Sequence, residues 1–157
     1  MPGKRLSAND PQAIRAAAVT LLARRDWLTA ELSAKLQAAG GDPQAVAGVI
    51  AELARERLLD DARFAEHYVA SRAQRGQGPL RIAADLASLG APREVIEAGI
   101  ASGPDWRARA VAVRRRKFGA EPPESWAEKA RQARFLQYRG FSSDHIRAAT
   151  GADLDRD

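Results

Sequence analysis

Apolar residues recur along this chain at the three- and four-residue spacing of amphipathic helices. In the first third, Ile14, Ala18 and Leu21 lie on one helical stripe, and two further stripes follow before residue 54. A run of apolar positions with this period predicts a helix with one buried face. No segment alternates apolar and polar residues over the length of a strand. The pattern therefore predicts an all-α protein with essentially no sheet.

Residues that favour helix ends mark the boundaries between these stripes. Gly40-Gly41 predicts a stop, and Asp42-Pro43 predicts an N-cap followed by proline at the first helical position. Asp60-Asp61 places acidic groups at a later helix start, and we interpret them as caps. The run Gly76-Gln77-Gly78-Pro79 is flanked by helical patterns, whereas phosphate-binding glycine loops follow a strand. We interpret that run as the end of one helix and the start of the next.

The same layout recurs with a period of fifty residues. Each unit contains three predicted helices and is too short to bury a stable core by itself. Stacked units bury the remaining apolar faces, so we predict three tandem three-helix repeats, similar to helix-turn-helix units, in an elongated array that can curve. The positions that return at this step are Leu36, Leu86 and Leu136; Gly40, Gly90 and Gly140; and Val46, Ile96 and Ile146.

The repeats are expected at residues 10–57, 58–101 and 102–150. Segments 1–9 and 151–157 lack the helical pattern, so we expect flexible ends, of which the second is acidic. The first residues carry positive charge but no apolar signal region, and no stretch reaches the roughly 20 apolar residues that span a bilayer. We expect a soluble intracellular protein with no membrane partner.

The composition removes most catalytic chemistry. The chain has no Cys, which excludes disulfide scaffolds, thiolate metal sites and cysteine nucleophiles. Its two histidines, His67 and His145, stand outside any metal-ligand spacing, so we interpret them as ordinary surface or half-buried residues. No Gly-x-Ser-x-Gly nucleophile motif occurs. We therefore predict no catalytic residue, no metal and no cofactor, and hence a protein that is not an enzyme.

The net charge of +5 is concentrated in the last third of the chain. Residues 101–150 carry 11 basic and 5 acidic side chains, whereas residues 1–100 carry 13 and 12. Of the 25 basic residues 21 are arginine, whose planar fork suits phosphate and carboxylate groups. A GC-rich coding sequence would also raise the arginine content. The asymmetry along the chain nevertheless favours an anionic partner for the last third.

Basic residues cluster at predicted helix ends and along one predicted helix. The four in succession from Arg114 to Lys117 exceed what the dipole of one helix end requires. Solvated helix faces paired with nearby Glu are the alternative interpretation. Four aromatic residues interleave with the clusters, at a spacing that favours core packing over base stacking: Phe118, Phe135, Tyr138 and Phe141. The candidate partner-binding residues are Arg24, Arg25, Arg72, Arg75, Arg81, Arg114, Arg115, Arg116, Lys117, Arg131, Arg134 and Arg139.

Three runs of the chain together form a specific motif set. The runs are Leu59-Asp60-Asp61-x-Arg63-Phe64-Ala65-x-x-Tyr68-Val69-x-x-Arg72-x-x-x-Gly76-x-Gly78-Pro79-x-x-Ile82, Arg115-Arg116-Lys117-Phe118-Gly119 and Arg134-Phe135-Leu136-x-Tyr138-Arg139-Gly140-Phe141-Ser142-x-Asp144-x-Ile146. They resemble the RecX family of regulators of the RecA recombinase, and the resemblance covers roughly residues 13–150, which is nearly the whole chain.

This resemblance implies a cytoplasmic, non-enzymatic protein made of three tandem three-helix repeats. It implies that the partner is RecA, chiefly as its filament on single-stranded DNA, and that the protein lies along the filament groove. The expected consequence is lower ATPase, strand-exchange and coprotease activity of RecA in recombination, DNA repair and the SOS response. We expect the protein to act as a monomer, and direct contact with DNA is compatible with its basic charge.

A stand-alone DNA-binding module is the competing interpretation. Three-helix units are similar to helix-turn-helix domains, and a basic third of the chain suits such a protein. A direct DNA reader binds naked DNA with a steep salt dependence. A filament modulator binds naked DNA weakly and the protein-coated strand far better, so the two functions can be separated by one binding experiment.

Overall fold

The computed structural model describes residues 7–154, and this part of the chain forms nine α-helices and no strand. The all-α prediction is confirmed. None of these nine helices is long and apolar enough to cross a membrane. In chain order they are α1 Pro11–Arg24, α2 Thr29–Ala38, α3 Pro43–Arg55, α4 Asp61–Gln74, α5 Pro79–Ser88, α6 Arg93–Ala101, α7 Trp106–Phe118, α8 Trp126–Arg139 and α9 Ser143–Thr150.

The helices pack in consecutive triplets, which we call the first (α1–α3), second (α4–α6) and third (α7–α9) units. The main packing of every helix is with the other two helices of its own unit. Each unit has a separate apolar core, with Leu32, Ile82 and Leu136 among the fully buried residues of the three cores. The tandem three-helix arrangement is therefore confirmed, while the curvature of the array stays a prediction.

The fifty-residue period corresponds to one structural unit. The three repeated leucines lie in the second helix of each unit and are at most 1% exposed. The three repeated glycines follow those helices with φ values of 111°, 96° and 97°, in the left-handed region where glycine has no Cβ penalty. Each repeated glycine thus lets the chain reverse direction into the third helix of its unit.

Side-chain caps begin several helices where the sequence predicts them. The Asp42 carboxylate accepts hydrogen bonds from the backbone N–H groups of Gln44 and Ala45, both at 3.1 Å. Asp60 caps α4 by accepting from the Arg63 N–H at 3.1 Å. These carboxylates satisfy N–H groups that a helix start otherwise leaves without a partner.

Part of each predicted flexible end is held against the fold. The Ala8 carbonyl accepts a hydrogen bond from the Asp42 N–H at 2.8 Å. At the other end Ala152 is fully buried, and Leu154 packs against the core of the third unit. Residues 151–154 therefore belong to the third unit, which corrects the expected start of the flexible tail at residue 151. The expectation of flexible ends for residues 1–6 and 155–157 lies outside the described residues. Apolar side chains at 152 and 154 are too few to produce a helical pattern, so the sequence pattern missed this contact.

Candidate surface for an anionic partner

The second and third units are joined by backbone hydrogen bonds between the start of α5 and the end of α8. The Gly78 N–H donates to the Arg139 carbonyl at 2.7 Å, and the Leu80 N–H donates to the Gly140 carbonyl at 2.9 Å. We call this contact the clasp. A Cβ at Gly78 would collide with the Gly140 backbone, and a Cβ at Gly140 would collide with Arg81. Both glycines are therefore needed for the close approach of the two units.

The clasp also completes the start of α5. The N-cap residue of this helix is Gly78, which has no side chain to accept from the first N–H groups. Carbonyl groups at the end of α8 accept hydrogen bonds from these N–H groups instead. The positive end of the α5 dipole thereby meets the negative end of the α8 dipole. The interpretation of residues 76–79 as a helix boundary is confirmed, and its role as a contact between units was not visible in the sequence.

Two arginines of the third unit add side-chain hydrogen bonds to the same junction. Arg109 Nη2 donates to the Ala73 carbonyl at 2.6 Å, and Arg139 Nη1 donates to the Arg75 carbonyl at 3.4 Å. Both acceptors lie at the carboxyl end of α4, where positive charge is favoured by the helix dipole. The basic side chains of the third unit are thereby held against the second unit.

The first and second units meet in a similar way. α2 begins without a capping side chain of its own N-cap residue, Leu28. The Asp61 carboxylate of the second unit accepts from the Thr29 N–H at 2.7 Å and from the Thr29 hydroxyl at 3.0 Å. Asp61 is thus a cap, as predicted, but it caps a helix of the preceding unit.

Two neighbouring depressions lie at the junction of the second and third units and share Phe135 and Arg139. The first depression has a volume of about 720 Å³ and the second about 420 Å³. Among the described residues 7–154, no acidic residue lines either one. We call the pair the junction groove. Its basic residues are Arg75, Arg81, Arg109, Arg116, Lys117, Arg131, Arg134 and Arg139.

The charge of the junction groove is only partly neutralised by its surroundings. Arg131 Nη2 lies 2.7 Å from the Glu128 carboxylate, which also accepts from Gln132. A hydrogen bond from Arg131, and to a smaller extent one from Gln132, lowers the pKa of Glu128 to about 2. This carboxylate therefore stays ionised and balances the charge of Arg131. Within residues 7–154, Arg81, Arg116, Lys117 and Arg134 form no ion pair. The groove therefore presents net positive charge.

Arg114 does not belong to this surface, although it stands first in the basic run of α7. Its side chain is only 3% exposed. Its guanidinium donates to the Glu121 carbonyl at 3.2 Å, the Gln132 side-chain oxygen at 3.3 Å and the Ala120 carbonyl at 3.4 Å. Arg114 therefore holds the α7–α8 connection inside the third unit, and its assignment as a partner-binding residue is corrected.

Four other candidate residues are on the surface but line neither depression. Arg25 lies 3.5 Å from the Trp27 ring centroid, and Arg72 lies 4.8 Å from that of Tyr68. Arg24 and Arg115 are exposed at the ends of α1 and α7. The structure thus brings together seven of the twelve candidates and adds Arg109, which sequence reasoning missed. The spacing of Arg109 three residues after Trp106 was the available signal, because it places the two on one helix face.

The aromatic residues near the basic clusters divide into two groups. Phe141 is 2% exposed, and Phe118 packs edge-on against Phe135 with centroids 5.3 Å apart, in line with the expectation of core packing. Tyr138 is 88% exposed. The expectation that Tyr138 is a core residue was wrong, because its position on α8 faces away from the buried stripe that contains Leu136.

The histidines are placed much as the sequence indicated. His67 is 68% exposed and lies 3.4 Å from the Asp26 carboxylate. His145 is half-buried, and burial, then the positive charge of Arg107, lowers the pKa of its imidazole. In the part of the chain that the structure describes, no three His, Asp or Glu side chains cluster closely enough to hold a metal ion.

The fold and this groove define a class: a tandem helical-repeat protein with a basic surface between its last two units. The chain matches the family description "RecX, second three-helix domain" over residues 60–100 and "RecX, third three-helix domain" over residues 105–150. It is 49% identical to the regulatory protein RecX of Halorhodospira halophila over 142 residues, covering 90% of this chain and 88% of that protein. The chain belongs to the RecX family of regulatory proteins.

Further comparisons agree with this assignment. The regulatory protein RecX of Acidithiobacillus ferrooxidans is 42% identical over 149 residues, covering 95% of this chain and 94% of that protein. The crystal structure of RecX from Lactobacillus salivarius superimposes with a TM-score of 0.79 at 20% identity, covering 88% of this chain and 93% of that chain. At this low identity the structural match shows the shared fold alone.

Proposed function

We propose that this protein binds the RecA filament on single-stranded DNA and lowers its ATPase, strand-exchange and coprotease activities. The observation that carries the proposal is the junction groove, which collects eight basic side chains across two units and no acidic one from the part of the chain that the structure describes. Membership of a family of regulatory proteins supports a role in control. The protein acts by occupancy in the cytoplasm, as a monomer and without catalytic chemistry.

The tandem arrangement suits a helical polymer. A row of three units offers contacts to more than one subunit of the filament, and linked contacts raise the overall affinity beyond that of each contact alone. Positive charge in the groove attracts acidic protein surface or exposed phosphate and speeds the encounter. A protein bound along the filament obstructs the addition of subunits and the access of duplex DNA and other substrates.

Charge reversal in the groove tests this proposal. We expect Arg116→Glu with Lys117→Glu to raise the concentration that half-inhibits the DNA-dependent ATPase of RecA by about tenfold or more, because each attraction becomes a repulsion. Both residues are exposed in the last turn of α7. The measurement is a titration of each variant into RecA–single-stranded DNA at fixed ATP.

Lys35→Glu with Arg55→Glu is the matched control. It makes the same change of charge at exposed positions, also in the last turns of their helices, but in the first unit and outside the groove. The control is expected to inhibit nearly as well as the unaltered protein. Equal inhibition by the groove variant, with its helical content retained, would refute the assignment of this face.

Binding to naked DNA separates this function from a stand-alone DNA-binding module. At near-physiological salt, a filament modulator binds single- and double-stranded DNA weakly and the RecA-coated strand far more tightly. Equally tight binding to naked duplex, with a steep loss of affinity as salt rises, would favour the DNA-binding module instead.

A further inference from the structure

Tyr138 contributes almost no buried surface to the fold, although it lines the smaller depression of the junction groove. It is 88% exposed, more than the other large apolar side chains that reach the surface of residues 7–154. It follows Phe135 by three positions on α8, so the two rings share one face of the helix. An aromatic ring left in water at this position points to a role at the surface.

The smaller depression of the junction groove places Phe135 and four arginines around this ring. Its volume is about 420 Å³. α8 provides most of its lining, and the clasp brings Arg81 of α5 to the opposite side, next to Gly140. The lining residues are Arg81, Arg131, Arg134, Phe135, Tyr138 and Arg139.

Two of the four arginines in this depression are available to a ligand. Arg131 is paired with Glu128, and Arg139 bonds the Arg75 carbonyl while its guanidinium lies 5.2 Å from the Phe135 ring centroid. Arg81 and Arg134 are exposed and form no ion pair within the described range 7–154. The depression therefore combines an exposed aromatic ring with two unpaired guanidinium groups.

We propose that this depression binds one unstacked base of a single strand of nucleic acid, with Tyr138 against the base and Arg81 and Arg134 on the adjacent phosphates. Aromatic rings and arginine are the combination that single-strand binding surfaces use for base faces and backbone. A duplex keeps its base faces stacked inside and cannot offer one to Tyr138. An acidic protein surface would satisfy the arginines but has no group that specifically needs the exposed ring.

The test uses the full chain and free oligonucleotides without RecA, so its outcome is independent of filament binding. Fluorescence anisotropy at low salt compares a labelled oligodeoxythymidylate of about 12 nucleotides with an abasic strand of the same length and phosphate number. The unaltered protein is expected to bind the strand with bases about fivefold or more tightly. Tyr138→Ala is expected to abolish this preference, while Tyr138→Phe keeps the ring and the preference.

The arginines are expected to act on both strands alike. Arg81→Gln with Arg134→Gln weakens binding to the normal and the abasic strand by the same factor, and it lowers the slope of log affinity against log salt by about 1.4. Phosphates are present in both strands, so a contact to phosphate does not distinguish them. An effect on the base-containing strand alone would contradict the assignment of these two residues to phosphates.

Trp126→Ala is the matched control for loss of an exposed aromatic ring. Trp126 is 66% exposed at the opposite end of α8 and does not line the groove. It is expected to leave the base preference unchanged, and far-UV circular dichroism confirms that each variant keeps its helices. The proposal is overturned if the unaltered protein does not prefer bases, or does not bind the single strand at low salt. It is also overturned if Tyr138→Ala keeps the preference for the strand with bases, since the ring then does not contact a base.

Discussion

Arginine residues that look alike in this sequence have different roles in the structure. Arg114 is buried and organises a loop, Arg109 bonds a helix end of the neighbouring unit, and Arg134 is exposed in the junction groove. Consecutive residues on a helix point about 100° apart, so a run of four basic residues must direct at least one of them towards the core side. The signal for Arg114 was its position four residues after Ala110 and eight after Trp106, on the buried stripe of α7. Charge alone could not reveal this.

Arg114→Met is expected to lower the free energy of unfolding by about 1–3 kcal/mol, because it leaves the acceptors at residues 120, 121 and 132 without their donor. Urea unfolding followed by circular dichroism measures the change. Arg115→Met is the control at the adjacent exposed position and is expected to stay within about 0.5 kcal/mol of the unaltered protein. Equal stability of the two variants would contradict a structural role for Arg114.

At the scale of the helix, the sequence predicts where most helices begin. It does not predict which groups cap the second helix of the first and second units. Asp42, Asp60 and Ser142 cap their own helices, and Asp and Ser are residue types that favour the N-cap position. α2 and α5 begin after Leu28 and Gly78, which carry no capping oxygen, and their first N–H groups bond the following unit. Such a cap arises only when two units meet, so local sequence cannot show it.

Gly78→Ala is expected to lower the free energy of unfolding by about 1–3 kcal/mol, because the added methyl group collides with the Gly140 backbone and forces the clasp apart. The φ of Gly78 is −90°, so alanine adds no backbone strain and the variant reports on packing alone.

Gly48→Ala is the comparison for that variant. Apart from the backbone of α3 itself, no atom of residues 7–154 lies within 4 Å of a Cβ at this position, so alanine is expected to stabilise the protein by about 0.5–1 kcal/mol. Chemical denaturation measures both variants. Stabilisation by Gly78→Ala would show that the clasp can open without cost.

At the scale of the whole molecule, the charge asymmetry of the sequence indicated that the third unit binds an anionic partner. It did not indicate the basic residues that the second unit contributes to the groove. Arg75 and Arg81 belong to the second unit, and the clasp alone places them beside the basic side chains of α7 and α8. The last unit differs from the others because Ser125 provides the cap of its second helix internally. The array therefore has a direction: each of the first two units is completed by the one that follows it.

Removing the unit at one end or the other is expected to show that each of the first two units depends on the unit that follows it. A chain of residues 58–157 keeps both the clasp and the internal cap, so we expect it to retain its helical content per residue. A chain of residues 1–103 lacks the acceptors for α5, and we expect it to lose helix in the second unit. Circular dichroism of the two truncated chains provides the comparison. Equal losses per residue would show that the helix starts are independent of their neighbours.

The caps that α2 and α5 receive from later residues have a consequence during translation. A polypeptide leaves the ribosome amino end first, and its early segments begin to fold while the remainder is still being made. The start of α2 can be capped once Asp61 has been synthesised. The start of α5 can be capped only after Gly140 has been synthesised, which is near the end of translation. The middle unit should therefore stay sensitive to cellular proteases until most of the third unit has been made, and ribosomes that stall before codon 140 would release a product that is open to degradation.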